Sequence, residues 1–280
     1  MGLFTKKRKD ADWVKPNDAI GMIMPYIMPN RTEAEVSSQV DIDVTELIKY
    51  VDNYNQEEHE YKMTYFHAIA ACFAKTVFNR PKLNRFIKNK RIYQRKKLIF
   101  GFIAKDKLSD SGEERIVCLE VDPKDTILTL SRKMAIDVFK VRQEGTNDMD
   151  GTLKVLTALP KFILSIIVKI VFFLDERGIS PKFLTEGDTN YASILFSNLG
   201  SIKSNSIYHH LNNYGTNSIV ITIGTIREEK GRKLVDIQAT LDERIADGFY
   251  FVKSIHLAND IAGNPKLLEE EFEKEIKTEE

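Results

Sequence analysis

Two neighbouring apolar segments in the C-terminal half of the chain constrain the fold most. Ser218–Arg227 and Lys233–Leu241 have the residue types of β-strands, and the polar segment Glu228–Gly231 between them predicts a hairpin. The two strands of a hairpin pair side by side and antiparallel. Any fold for this chain must therefore contain an antiparallel pair of strands at this point.

Helical and strand patterns alternate along the rest of the chain. Met63–Phe78 has helical periodicity and is apolar nearly all round, which predicts a buried helix with His67 as a core residue. Asp43 is a suitable N-cap for a helix over 44–54. Similar patterns predict helices over 125–143 and 248–262, and strands over 91–93, 98–104, 115–121 and 193–197. Alternating strands and helices with antiparallel hairpins predict an α/β sandwich.

The composition is that of an ordinary globular protein. The chain has 280 residues, of which 42% are hydrophobic and 29% charged, with no net formal charge. We expect one domain over 1–280, with an irregular basic arm over about 1–24 and an acidic tail over about 265–280. Cys72 and Cys118 lie in apolar surroundings without metal-ligand spacing, and the start MGLFTKKRKD does not have the pattern of a secretory signal. A cytoplasmic location and no metal site are expected.

One apolar segment bears on membrane contact. Leu156–Leu174 approaches membrane-spanning length, but Pro160, Lys161 and Lys169 interrupt it. Lys161, Ser165 and Lys169 are spaced to form one narrow polar stripe on an otherwise apolar helix. A buried helix or subunit contact is the simpler interpretation. The alternative is a helix lying on a membrane surface, assisted by the basic run Lys6–Lys9 at the N-terminus.

Positive charge is concentrated in one part of the sequence. The segment from Tyr61 to Lys105 contains no Asp or Glu but twelve Lys or Arg, nine of them between Arg80 and Lys97. These cations are either a solvated face that keeps edge strands soluble or a patch that binds an anionic partner. A nucleic acid is not expected as that partner, because few aromatic residues interleave the charges and no binding motif is present.

Three stretches must be considered together. "YASILFSNLGSI" (Tyr191–Ile202) resembles the strand-and-turn motif of 2-oxoacid dehydrogenase acyltransferases, in which a hydroxyl residue precedes Asn-Leu-Gly. "DERIADG" (Asp242–Gly248) resembles the Asp-His-Arg-x-x-Asp-Gly motif of the same family, and "VDIDVTELIKYV" (Val40–Val51) resembles its strand-to-helix step. Their order and spacing also fit chloramphenicol acetyltransferase, and the resemblance covers roughly Pro25 to Ala262.

The resemblance implies a free-standing catalytic domain with a two-layer, coenzyme-A-dependent acyltransferase fold. This fold has a mixed sheet with helices on one face, and the family forms homotrimers with active sites in channels between subunits. Such an enzyme moves an acyl group from a thioester of coenzyme A or of a carrier to a thiol or hydroxyl acceptor.

Site residues follow from the same resemblance. Ser197, next to Asn198, would donate to the oxyanion of the tetrahedral intermediate. Asp247, followed by Gly248, would pair with Arg31 or, alternatively, with Arg244 to brace the loop that carries the base.

Glu243 stands where the family has its catalytic histidine. A carboxylate is a weak base towards a thiol, although burial in an apolar channel would strengthen it. The chain is therefore expected to be either a transferase with an altered base or a catalytically inactive trimeric scaffold. His209 and His210, which lie between the two motifs, are alternative candidates for the base, and their simplest interpretation is structural.

Overall fold

A six-stranded mixed sheet forms the centre of the molecule. The computed structural model describes residues 8–16, 18–105, 114–144, 158–182 and 185–276. The sheet has the strand order β2-β9-β8-β7-β5-β6. Its strand β7 runs parallel to β5 and β8, and the other neighbouring pairs are antiparallel. Its members are β2 (Glu35–Asp43), β5 (Leu98–Lys105), β6 (Glu114–Val121), β7 (Ile194–Asn198), β8 (Ile219–Glu229) and β9 (Arg232–Asp242).

The hairpin predicted near the C-terminal end is confirmed. Strands β8 and β9 pair from Ile219 opposite Leu241 to Glu229 opposite Arg232. One irregularity lies between Ile223 and Ile226, where the register shifts. The turn that follows β7 packs against this bulge.

Helices cover one face of the sheet, as expected. The described helices are α1 (Ala19–Ile27), α2 (Thr45–Tyr54), α3 (Tyr65–Asn79), α4 (Ile127–Glu144), α5 (Lys161–Glu176) and α6 (Gly248–Gly263). Side chains from α2, α3, α4 and α6 form the main core with alternate residues of the strands, such as Phe100, Phe196 and Ile237. The two-layer α/β architecture is confirmed.

Inside the helical layer, α3 begins with a reciprocal cap. The Thr64 hydroxyl accepts from the backbone N–H of His67, and Nδ1 of His67 accepts from the N–H of Thr64. His67 is buried, as predicted for a core residue. Burial lowers its pKa to about 4, because the surroundings penalise the charged form.

The N-terminal region is more ordered than its prolines indicated. The prediction of an irregular arm is wrong, because β1 (Ala11–Val14) and α1 lie there. Strand β1 joins β4 (Arg91–Arg95) and β3 (Arg85–Lys88) in a second sheet of order β1-β4-β3. β3 was not predicted, and it forms a tight hairpin with β4 through Asn89 and Lys90, both at positive φ.

The acidic C-terminal segment is held against the body of the protein. Leu268 and Phe272 are fully buried, and the backbone N–H of Phe272 donates to the carbonyl of Asp125. The buried Lys75 donates to the carbonyl of Glu271. The segment 265–276, the described part of the predicted acidic tail, is thus a packed part of the fold.

The apolar helix predicted over 156–174 is α5, and residues 156 and 157 lie outside the described part of the chain. The prediction that this helix is buried within the chain is wrong, because Asp175 is its only buried residue. No helix among the described residues combines the length and apolar character needed to cross a membrane.

In the basic run 6–9, residues 6 and 7 also lie outside the described part. Arg8 is buried against the rings of Phe86 and Tyr93, so it does not present its charge on the surface.

Candidate functional site

The sheet face opposite the helices is polar. Ser197 pairs with Thr222 of β8, and Thr222 pairs with Gln238 of β9. Gln238 in turn lies opposite Gln39 of β2. Directly paired residues point to the same face of a sheet, so these four side chains form one polar row. Thr222 and Gln238 are buried, although the described residues offer Nε2 of Gln238 no hydrogen-bond partner.

An extended segment over 203–217 crosses this polar face. The backbone N–H and hydroxyl of Ser206 both donate to Asp236, and the Thr222 hydroxyl donates to the carbonyl of Ile207. Farther along, the N–H of Leu211 donates to the carboxylate of Glu35. The segment thus connects the Ser197 end of the face to the end where β2 begins.

At one end of the face, a glycine contact places Ser197. The chain turns after Asn198 in a short 3-10 helix, Leu199–Ile202. A Cβ atom added to Gly200 would lie 2.4 Å from the carbonyl oxygen of Gly224, which occupies the bulge of β8. Only glycine permits this approach, which explains physically why the Asn-Leu-Gly turn follows Ser197. Lys203 ends the turn in the left-handed region, with φ 60°.

At the other end, Glu243 directly follows β9. Its backbone N–H donates to the carbonyl of Ala34, just before β2 begins. The side chain is half-buried. Among the described residues, neither the Glu243 carboxylate nor the Ser197 hydroxyl makes a hydrogen bond, and Glu243 forms no ion pair. Both groups are therefore free to meet a partner from outside this chain.

Asp242, the residue before Glu243, is held in place by two arginines. Its side chain is fully buried and accepts two hydrogen bonds of 2.7 Å from Arg244, a bidentate ion pair. Arg31 lies on its other side, with Nε 3.7 Å from a carboxylate oxygen. Arg244 also donates to the carbonyls of Met28 and Pro29. Three buried charges thus lock the start of the Glu243 loop onto the segment that precedes β2.

The predicted brace between Asp247 and an arginine is wrong. Asp247 is the N-cap of α6, where its carboxylate accepts from the N–H of Tyr250. That hydrogen bond lowers its pKa, and the nearest cation is Lys82 at 3.9 Å. Arg31 and Arg244 both contact Asp242 instead. The Asp242 carboxylate is buried away from water, so it needs charged partners within the protein.

Gly248 has no steric role within this chain. A Cβ added there would meet no atom within 4 Å. The signal that Asp242 is the structural carboxylate was present in the sequence, since it ends a buried strand and an arginine follows two residues later. The resemblance implies the architectural role for Asp247, whereas the structure gives it to Asp242.

The two ends of the site are far apart in one chain. Gln238 lies two strands away from Ser197, which corresponds to about 10 Å across the sheet. The end of β9 at Asp242 is a further four residues from Gln238, or about 13 Å along the strand direction, and Glu243 follows it. Within one chain, Glu243 and Ser197 therefore cannot act on the same substrate atom.

The paired histidines lie on the segment that crosses the polar face. Nδ1 of each ring is 2.9–3.0 Å from a backbone carbonyl oxygen, that of His210 for His209 and that of Leu211 for His210. Because Leu211 binds Glu35, the pair lies nearer to the Glu243 end than to Ser197. Their role as an alternative base stays a prediction.

The basic region does not form one solvated face. Lys88 is buried, and Nε of the half-buried Arg95 is shielded from solvent. Arg95 donates to the carbonyls of Tyr191, Ala192 and Thr216, and burial of its guanidinium lowers its pKa to about 9. Arg95 thus holds the segments before β7 and β8 in place, and Lys88 holds the end of α5, so these two cations are structural.

The comparisons with known proteins agree with this architecture. No model of a known protein family matches the chain, and no curated protein matches its sequence. Many solved structures are similar in fold, three of which illustrate the likeness. The catalytic domain of dihydrolipoamide acetyltransferase from Azotobacter vinelandii, studied for the catalytic roles of a serine, a histidine and an asparagine, is 13% identical. Its TM-score is 0.60, over 92% of this chain and 94% of that chain.

The other two structures give the same picture. The cubic core of the pyruvate dehydrogenase multienzyme complex is 12% identical, with a TM-score of 0.58 over 92% of this chain and 94% of that chain. Chloramphenicol acetyltransferase is 11% identical, with a TM-score of 0.56 over 90% of this chain and 99% of that chain. The chain therefore has the acyltransferase-like fold shared by dihydrolipoamide acetyltransferase catalytic domains and chloramphenicol acetyltransferase.

Proposed function

We propose that this protein is an acyltransferase that works as a homotrimer, with each active site shared between two subunits. One observation carries the proposal. Ser197 and Glu243 are half-buried at opposite ends of one polar face, and neither side chain has a hydrogen-bond partner among the described residues. They are too far apart to cooperate within a chain, so a second copy must bring Glu243 to Ser197.

The proposed reaction uses both groups. The Glu243 carboxylate takes the proton of an acceptor thiol or hydroxyl, and the resulting nucleophile attacks the carbonyl carbon of an acyl thioester of coenzyme A or of a carrier. Ser197 donates a hydrogen bond to the oxyanion that forms. When the intermediate collapses, the carbon–sulfur bond breaks, and the leaving thiolate takes the proton back from Glu243.

The structure supports a functional role for the loop that carries Glu243. Asp242 is paired with Arg31 and Arg244, both arginines also donate to backbone carbonyls, and together these contacts hold the loop in place. Glu243 is excluded from this ion-pair network although it lies between two of its members. By the motif resemblance, Ser197 and Glu243 would take the places of the serine and histidine whose catalytic roles were studied in the Azotobacter enzyme.

A subunit-mixing experiment tests the proposal. Steady-state transfer is measured across a panel of acyl-coenzyme-A donors with thiol and alcohol acceptors. We expect Glu243→Gln to lower kcat by about 10²–10⁴-fold and Ser197→Ala by about 10²–10³-fold. Co-refolding the two variants should restore about a quarter of wild-type activity. A site is intact only when it takes Glu243 from one variant and Ser197 from the other.

Control variants distinguish the possible reasons for a change in activity. Glu229→Gln, in the exposed hairpin turn, should match wild type, and His209→Gln with His210→Gln tests the alternative base. Unchanged kcat in Glu243→Gln would exclude Glu243 as the base. Activity found only in Glu243→His would instead identify a scaffold that kept the pocket of a transferase without its base.

A further inference from the structure

Helix α5 presents an apolar stripe to solvent. Phe162, Ile166, Ile170 and Phe173 are 68%, 55%, 52% and 47% exposed, respectively. Their spacing of four, four and three residues places them within a narrow arc on one face of the helix. We call these four residues the outer stripe. The residues of α5 that turn towards the body, among them Ile163, Ile167 and Leu174, are only partly exposed.

Lysines border the outer stripe on one side. Lys161, Ser165 and Lys169 are exposed and follow one another at intervals of four residues. No Asp or Glu occurs from Leu156 to Leu174. The two acidic residues of α5, Asp175 and Glu176, lie at its inner end, where both contact the buried Lys88. The exposed length of α5 therefore carries positive charge only.

Helix α1 adds a second exposed apolar surface beside the first. Ile20, Ile23 and Ile27 share one face of α1 and are each more than half exposed. Both helices flank the turn between β3 and β4. Tyr26 of α1 stacks against the ammonium of Lys90, and the carboxylate of Glu176 accepts from the N–H of Asn89. One end of α5 and the C-terminal part of α1 thus both lie at this turn.

We propose that α5 and α1 dock onto an anionic lipid surface. The outer stripe would lie among the acyl chains, while Lys161 and Lys169 extend to the phosphates of the head groups. Two weak anchors that meet at the same turn together give stable peripheral binding where one does not. A two-fold contact between two α5 helices is disfavoured, because it would bring their lysine borders together. A contact of α5 with a different surface of a neighbouring copy is the competing occupant, and the native mass of the α5 variants detects it. This inference does not depend on the proposed transferase activity.

Vesicle co-sedimentation tests the proposal with the full chain. Wild type should bind vesicles of phosphatidylcholine mixed with phosphatidylserine at least tenfold more strongly than vesicles of phosphatidylcholine alone, and added salt should weaken the binding. Lys161→Gln with Lys169→Gln should lower binding to the anionic vesicles about thirtyfold, from about fivefold per lysine. Phe162→Ser with Ile166→Ser should lower binding to both compositions at least tenfold.

Matched controls use exposed residues on other elements. Phe249→Ser with Val252→Ser on α6, and Lys203→Gln with Lys230→Gln, should change vesicle binding less than twofold. Urea midpoints confirm that each variant is folded, and sedimentation velocity gives its native mass. Wild type that stays in the supernatant at both compositions overturns the proposal. If the α5 variants instead reduce the native mass, the outer stripe is covered by a second copy.

Discussion

The two ends of the polar face are held by different physical means. At the Glu243 end, Asp242, Arg31 and Arg244 form a buried cluster of charges that fixes the loop. At the Ser197 end, two glycines approach so closely that no side-chain atom fits between them. The first end depends on a complete set of charges, and the second depends on the absence of one atom. Small substitutions should therefore destabilise the two ends for different reasons, a lost charge at the first and an added atom at the second.

The charge cluster gives the largest expected effect. Asp242→Asn keeps the shape of the side chain but leaves Arg31 and Arg244 buried without their carboxylate. Removing one member of a buried ion pair costs about 3–5 kcal/mol, and we expect a loss of this size in the free energy of unfolding. Urea denaturation measures it. Asp247→Asn is the matched control, because asparagine is also a good N-cap, and it should change stability by less than about 0.5 kcal/mol.

The glycine contact should respond to a single methyl group. Gly200→Ala places a Cβ 2.4 Å from the carbonyl oxygen of Gly224, so the turn or the bulge must shift. Overpacking of this kind costs about 1–3 kcal/mol. Gly248→Ala is the control, since its added Cβ meets no atom within 4 Å. Equal stability of Gly200→Ala and wild type would show that the turn does not depend on this contact.

The fold could be predicted from the sequence to a large extent because local and global signals agree. The hairpin of β8 and β9, the buried helix α3 and the turn after Ser197 each carry a local pattern that the three-dimensional structure also requires. The N-terminal elements β1 and α1 were missed, because prolines favour irregular structure and Pro25 lies inside α1. Strand β3 is only four residues long, so its alternation was too short to detect.

The candidate site was predicted less well, for a different reason. Its residues were assigned by their place in a motif, and a motif does not tell which of two aspartates is buried. Asp242 ends a strand whose last residues are buried, whereas Asp247 starts a helix at the surface. In the same way, the number of cations over 80–97 could not show that Lys88 is buried and that Nε of Arg95 is shielded from solvent. Burial depends on strand pairing across the sequence, which charge patterns do not encode.

The free energy of unfolding should depend on pH through His67, which lies in the helical layer and outside the candidate site. The pKa of His67 in the folded protein, about 4, lies below its value near 6.5 in the unfolded chain. Between these values the unfolded state binds more protons, so stability falls as the pH falls. The expected loss between pH 7 and pH 5 is about 2 kcal/mol. Urea midpoints at both pH values should show this loss in wild type and largely lose it in His67→Gln, where no imidazole remains to titrate.

Asp247→Ala gives the smallest expected effect and compares the two aspartates most directly. Loss of the N-cap of α6 should lower the free energy of unfolding by about 1 kcal/mol. The two possible roles of Asp247 differ in its coupling to Arg244. A cap that contacts only Tyr250 and Lys82 predicts that the effects of Asp247→Ala and Arg244→Lys add to within about 0.5 kcal/mol. A coupling energy well above that limit would mean that Asp247 and Arg244 interact in solution. Arg244 would then be shared between Asp242 and Asp247. Additive effects would leave Asp242 as the only carboxylate of the motif that fixes the Glu243 loop.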